Sequence, residues 1–192
     1  MSTDLTQADI VYFSGAKIDF HEKARGLGVF GTPVNAVNGH VDLTIAAQPT
    51  VDDTMTIGKK LYTFVANGTA DVDGEISVGT DKATAQAAIV AAINGSDGHN
   101  VAHPDVTAGT FAVDISIITA NVAGVAANSI ASTSDFTSGS NSFNDTHIDG
   151  GVDGTIGIHG QPMVDATYLY ICSADNTVAD KNWRRIAIGS AF

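Results

Sequence analysis

Only one stretch of this chain is equipped to form a long helix, and that restriction governs what else it can fold into. DKATAQAAIVAAING, Asp81 to Gly95, carries its own start and stop. Thr80 or Asp81 can cap it, Ala85, Ile89, Ala92 and Ile93 form an apolar stripe, and Asn94-Gly95 closes it. Elsewhere Gly, Asn, Asp, Ser and Thr punctuate the apolar residues so closely that every run is short. Only 16% of residues are charged, and the dominant types favour short strands joined by tight turns. Such a chain makes a thin core, for which subunit association is a common remedy.

Strand periodicity places the remaining elements. DTMTIGKKLYTFVA (Asp53 to Ala66) reads as two strands about a Gly58-Lys59 turn, and GEISVGT adds a third strand with Ile76 and Val78 on one face. After the helix, strands are expected in HNVAHPDVTA, in TFAVDISIITA with Phe111, Val113, Ile115 and Ile117 alternating, and in NSIAST. TYLYICSADNTVADKNWRRIAIGSAF reads as a hairpin with arms Thr167 to Ser173 and Trp183 to Ile188. The order of strands, one helix, strands predicts an α+β fold, mostly β. It would comprise short antiparallel strands in a sandwich-like unit, one helix at about 81–94, and a C-terminal β-hairpin. Three regions are expected: an N-terminal arm or attachment region at 1–50, for which a strand-and-loop part of the main fold is the alternative, the α+β module at 51–154 and the hairpin region at 155–192. In the arm, ADIVYFSGAKIDF is expected to hold one or two short strands broken at Ser14-Gly15. The polar stretch Ser132 to Thr155 is read as a link between units.

Charge and composition exclude several functions. A formal net charge of −12 and a pI near 4.5 argue against nucleic-acid binding, which needs a basic footprint. The few bases collect near the ends, with Lys17, Lys23 and Arg25 early and Lys181, Arg184 and Arg185 late. Cys172 is the single cysteine, so an intrachain disulfide and a cysteine zinc cluster are both excluded. MSTDLTQAD has no apolar core of a secretory signal, and AAIVAAI is the longest apolar run, far short of the ~20 residues of a spanning helix. No membrane partner and no ordinary export are expected.

Residues with chemical potential are weighed against plain structure. Asp97, His99, His103 and Asp105 crowd one loop. His99 and His103 have the spacing of helical metal ligands, but Gly98 and Pro104 oppose a helix there, and a turn after the helix cap is expected. Asp71, Asp73 and Glu75, and likewise DGGVDGT (Asp149 to Thr155), are spaced like parts of a calcium loop and lack the remaining ligands. There is no GxSxG, HExxH or P-loop, and Cys172 lies in an apolar strand where cysteine acts as a small hydrophobe. No catalytic residue, metal or cofactor is expected.

Several stretches carry a resemblance. MTIGKKLYTFV, GEISVG, the helix ending AING, HPDVTA, ANVAGVAANSIAST and IDGGVDGT resemble a module of tailed-bacteriophage virion proteins. One turn departs from that pattern, with Ala127 before Asn128 where glycine is usual. Separately, DATYLYICSADNTVADKNWRRIAIGSAF resembles a tail found at the ends of phage head-fibre, decoration and tail-fibre proteins, with its YLY-C strand, W-R-R strand and terminal aromatic. The two resemblances together span residues 51 to 192.

The resemblance implies a non-enzymatic virion structural protein, a capsid decoration or head-fibre subunit made in the host cytoplasm. Its alternative is a receptor- or glycan-binding fibre module. The expected partners are the major capsid protein or other virion proteins and further copies of the chain, a homotrimer being favoured. In this reading the arm grips the capsid through Tyr12, Phe13, Phe20, Val29 and Phe30, with Ile10, Val11 and Ile18 beside them. Trp183, Arg184, Arg185 and Phe192 are expected at a subunit or partner contact, since Trp and Arg are enriched at binding hot spots.

Overall fold

A computed structural model describes residues 32–165 and 167–187, together with two short strands nearer the N-terminus. The architecture is α+β and mostly β. In chain order the strands are β1 (Phe13–Ser14), β2 (Lys17–Ile18), β3 (His40–Ile45), β4 (Thr54–Ile57), β5 (Lys60–Val65) and β6 (Glu75–Ser77). Helix α1 (Lys82–Asn94) precedes β7 (Val106–Ala108) and β8 (Ile115–Ala120). A 3-10 turn, Val125–Ser129, leads to β9 (Ser132–Asp135) and β10 (Asn141–Phe143), and β11 (Pro162–Val164), β12 (Tyr168–Cys172) and β13 (Trp183–Ala187) complete the set. β1 and β2 pair antiparallel.

The described residues form two compact units. The larger is Ala36–Asp153, and the smaller joins residues up to Asn35 with those from Gly154 onward. In the larger unit, two four-stranded sheets, β10-β3-β8-β7 and β6-β5-β4-β9, share one core. β3 points Val41, Leu43 and Ile45 inward, β4 Met55 and Ile57, and β5 Tyr62 and Phe64. Each such side chain contributes about 1.5–3 kcal/mol on burial. Along one side of the unit β9 lies against β10, and along the other α1 packs on both β6 and β7.

The helix boundaries follow from its caps. Asp81 accepts from the Thr84 amide at 2.8 Å while the Thr84 hydroxyl accepts from the Asp81 amide at 3.0 Å, a reciprocal capping box. Gly95 closes the helix in the left-handed region at φ 66°. A Cβ there would stand 2.4 Å from the Ala102 amide nitrogen, so the position requires glycine for space as well as for φ.

Asparagine side chains take over some of the ladder. Asn94 accepts from the Ala108 amide and donates to the Ala108 carbonyl, both at 2.9 Å, so the helix end pairs with β7. Asn141 grips Ala47 in the same two-bonded way, Asn128 grips Gly151, and in the smaller unit Asn35 grips Trp183. In each case one amide satisfies both polar groups of a single backbone residue.

Four sequence expectations need correction. Residues 36–50 do not belong to an arm: β3 lies between β10 and β8 in its sheet. The stretch from Ser132 onward is not a bare link, because it supplies β9 and β10. NSIAST is a strand only in its second half: Asn128 and Ser129 end the 3-10 turn, Ala131 bridges to His147, and β9 begins at Ser132. On β8 the inward face is Ser116, Ile118 and Ala120, while Ile115 and Ile117 are 44% and 51% exposed. The alternation was read on the wrong face because the strand starts after a turn at Val113-Asp114, and a one-residue slip exchanges the faces.

The smaller unit has an antiparallel sheet, β11-β12-β13, with Met163, Tyr170, Cys172 and Trp183 buried on one face. Gly157 allows the Thr155–Ile158 segment to cross that face closely. A Cβ on Gly157 would stand 2.5 Å from the Trp183 ring.

Candidate functional site

The crowded loop after α1 is built as a dock for the β5–β6 turn. Asp97 accepts from the Asn100 amide at 2.9 Å and from its side chain at 2.8 Å. Asn100 in turn accepts from the Gly74 amide at 2.7 Å and donates to the Glu75 carbonyl at 2.8 Å. Burial alone would raise the Asp97 carboxyl, but the bonds from Asn100 and His99 outweigh it and hold it below the usual carboxylate range. Asp73 accepts from Lys60 at 2.6 Å and from the Val101 amide at 2.9 Å, and the Lys60 hydrogen bond leads in lowering its carboxyl.

His103 is a core residue. Its Nε2 lies 3.0 Å from the Ile57 carbonyl, and its Nδ1 accepts from the Asp105 amide at 3.1 Å. That pattern assigns the proton to Nε2 and uses both ring nitrogens internally. The ring stacks on Tyr62 with centroids 6.4 Å apart. His99 points elsewhere, with Nε2 3.2 Å from Asp97. Among the described residues no three His, Cys, Asp or Glu side chains converge as metal ligands.

Of the two stretches spaced like calcium loops, Asp71 to Glu75 is a turn into β6, whereas Asp149 to Thr155 is no turn but an extended segment bridged to His40 and Val37. Glu75 accepts from the Asp71 amide at 3.1 Å. Asp149 pairs through its backbone with His40, and Asp153 accepts from the Val125 amide at 2.8 Å. Cys172 is buried, its thiol donating to the Ala174 carbonyl.

The C-terminal hairpin brings the expected contact residues together in part. Trp183 is committed to the smaller unit's core, with Nε1 donating to the Thr155 carbonyl at 2.7 Å. Arg184 and Arg185 are exposed and leave β13 on opposite faces, Arg185 over the Tyr168 ring at 4.8 Å. With Thr32, Pro33, Asn35 and Tyr170 these three residues line a surface concavity of about 490 Å³. Beside it, Asp165 accepts from the Tyr170 hydroxyl at 2.7 Å and from Thr32 at 2.9 Å. The Tyr170 bond leads in drawing the Asp165 carboxyl down to about 2. Tyr170, Asn35 and Asp165 were not singled out from sequence: the pairing of β12 with β13 brings Tyr170 beside Trp183, Asn35 reaches Trp183 through its own two bonds, and Asp165 is held by Tyr170 and Thr32.

Phe192, Tyr12, Phe20, Val29 and Phe30, with Ile10 and Val11, lie outside the described residues. For Phe13 and Ile18 only the pairing of their strands is described. No protein family, curated protein or solved structure matches this chain.

Proposed function

We propose that this chain is a non-enzymatic structural component of a phage virion, a capsid decoration or head-fibre subunit that binds the shell and projects from it. One observation carries the reading: the stretches resembling virion modules supply turns and core positions of the fold, beside the core residues of β3 and β8. Ile57, Tyr62 and Phe64 of the first hairpin are wholly buried, Gly58 makes its turn, and AING is the helix cap. The polar side chains that looked reactive in sequence are spent on joining loops. In this reading the apolar residues of the first thirty positions bury themselves against shell subunits, and such added contacts stabilise a shell by linked binding.

The test is to localise the protein in intact virions by cryo-electron microscopy, with mass spectrometry of the same particles. Regular density at lattice positions in many copies supports decoration or head fibre. Density confined to the tail in few copies overturns it.

A second reading, a receptor- or glycan-binding module, is favoured by the concavity that sets Tyr170 beside Arg184, Arg185 and Asn35. A glycan array probed with the purified protein tests it. Binding abolished by Tyr170→Ala supports this reading, and a silent array at high protein concentration ends it.

A further inference from the structure

The two units divide the molecule's charge very unequally. Residues 36–153 hold fourteen carboxylates against Lys59, Lys60 and Lys82. Residues 154–187 hold Asp165, Asp175 and Asp180 against Lys181, Arg184 and Arg185, and so are balanced. Two copies of a chain with net charge −12 repel wherever their larger units meet. The described part of the smaller unit is a surface on which that repulsion vanishes, and its mixed signs can complement themselves in a symmetric pairing.

Burial points to the same unit, and of its exposed apolar residues Ile186 lies on the sheet. The larger unit buries 20 apolar side chains and exposes 11 large ones. In the smaller unit the described residues bury four and expose five: Val34, Ile156, Ile158, Val178 and Ile186. More apolar side chains exposed than buried is the pattern of an interface, not of a surface that stays in water.

The sheet of this unit is apolar on both faces. Its inner face carries Tyr170, Cys172 and Trp183. On the outer face the pairing sets Val164, Leu169 and Ile186 in one row, and Pro162, Ile171 and Arg184 in the next. Ile186, on the edge strand β13, is 58% exposed, and Val164 and Leu169 beside it are half-buried. A sheet with one solvated face normally alternates apolar and polar residues, which this one does not.

We infer that the outer face of the β11-β12-β13 sheet is the surface through which copies of this chain associate. The row of Val164, Leu169 and Ile186 supplies the apolar contact, and Arg184 beside it meets a carboxylate of the neighbouring copy. The inference stands apart from the virion reading and holds whatever larger structure the chain serves.

Sedimentation equilibrium of the full chain across a wide concentration range tests it, with Ile186→Glu and Arg184→Glu as variants. Trp183 is the chain's one tryptophan and is buried on the opposite face of the same sheet, so its emission reports whether the unit stays folded. The wild type is expected to self-associate. Ile186→Glu should weaken association at least about tenfold with Trp183 emission unchanged. Arg184→Glu should weaken it too, by an amount that shrinks as salt is added. A wild type that stays monomeric to about 1 mM overturns the inference, including the case where the chain's own N-terminal residues cover the face. So does an Ile186→Glu variant that associates like the wild type with native emission. Should Ile186→Glu disturb the emission, Arg184→Glu decides alone, and unchanged association in low salt overturns the inference.

Discussion

Tyr62 is buried up to its hydroxyl, which has no hydrogen-bond partner among the described residues. Burial, with the Asp73 and Asp97 carboxylates behind it, pushes the phenol well above its ordinary value. A buried hydroxyl without a partner costs about 1–3 kcal/mol, whereas the ring contributes through its area. Tyr62→Phe should therefore raise stability by about 1 kcal/mol, read by denaturant unfolding. A loss of similar size would show that the hydroxyl is bonded in solution. Val113 raises a different cost, since it is β-branched, sits at φ 60° and is 85% exposed. Its turn is held by Gln86, which donates to the Val113 and Ile45 carbonyls at 3.0 and 2.9 Å, and by the Lys82–Asp114 ion pair. The left-handed region costs about 1–2 kcal/mol for such a residue, and asparagine tolerates it better. Val113→Asn should raise the midpoint of thermal unfolding, and an unchanged or lowered midpoint counts against strain at this turn.

Among the elements, α1 depends most on its two ends. Gly95→Ala combines a left-handed φ with a methyl group driven into the Ala102 backbone, and should cost about 2–4 kcal/mol. Denaturant titration checks this, and a cost under about 0.5 kcal/mol would mean that the loop moves aside freely. The helix was legible in sequence because its signals are local: a capping residue, a stripe and an Asn-Gly stop. The hairpins of β4 with β5 and β12 with β13 were legible for the same reason. β3 was missed although HVDLTI alternates cleanly, because the glycines before it gave the whole region the look of an arm. β10 was missed and β9 was caught only at Ser132 and Thr133, because STSD and NSF are polar; they are strands by virtue of their partners β4 and β3. The concavity beside Trp183 was only half legible, since Asn35 and Tyr170 reach it from distant parts of the chain.

Taken whole, the molecule holds carboxylates that favour their charged form. The Asp53 carboxylate accepts four bonds from Thr50 and Thr137 at 2.7 to 2.9 Å. Burial would raise it, but those bonds outweigh burial and leave it lowered. Asp73, Asp97 and Asp165 are lowered as well. A carboxylate lowered in the fold keeps its proton off while the unfolded chain, titrating near about 4, takes one up. Stability from these groups is complete above about pH 5 and is lost as pH falls toward about 2, where Asp165 titrates. Relief of the negative self-repulsion acts in the opposite direction between neutral pH and the pI near 4.5. Thermal unfolding should be flat or slightly more favourable on going from pH 8 to about 5, then decline steeply below about 4. A midpoint that keeps rising to pH 3 would refute this account.

The asparagine clamps also set how the protein ages. Each works because an amide presents a donor and an acceptor side by side, and asparagine is among the residues that heat degrades. Hydrolysis of the Asn94 amide would exchange its donor for a carboxylate oxygen 2.9 Å from the Ala108 carbonyl. The bond that ties the helix end to β7 would become a repulsion. Asn94 is followed by Gly95, the least hindered of neighbours, so chemical wear would begin where the helix is sewn to the sheet.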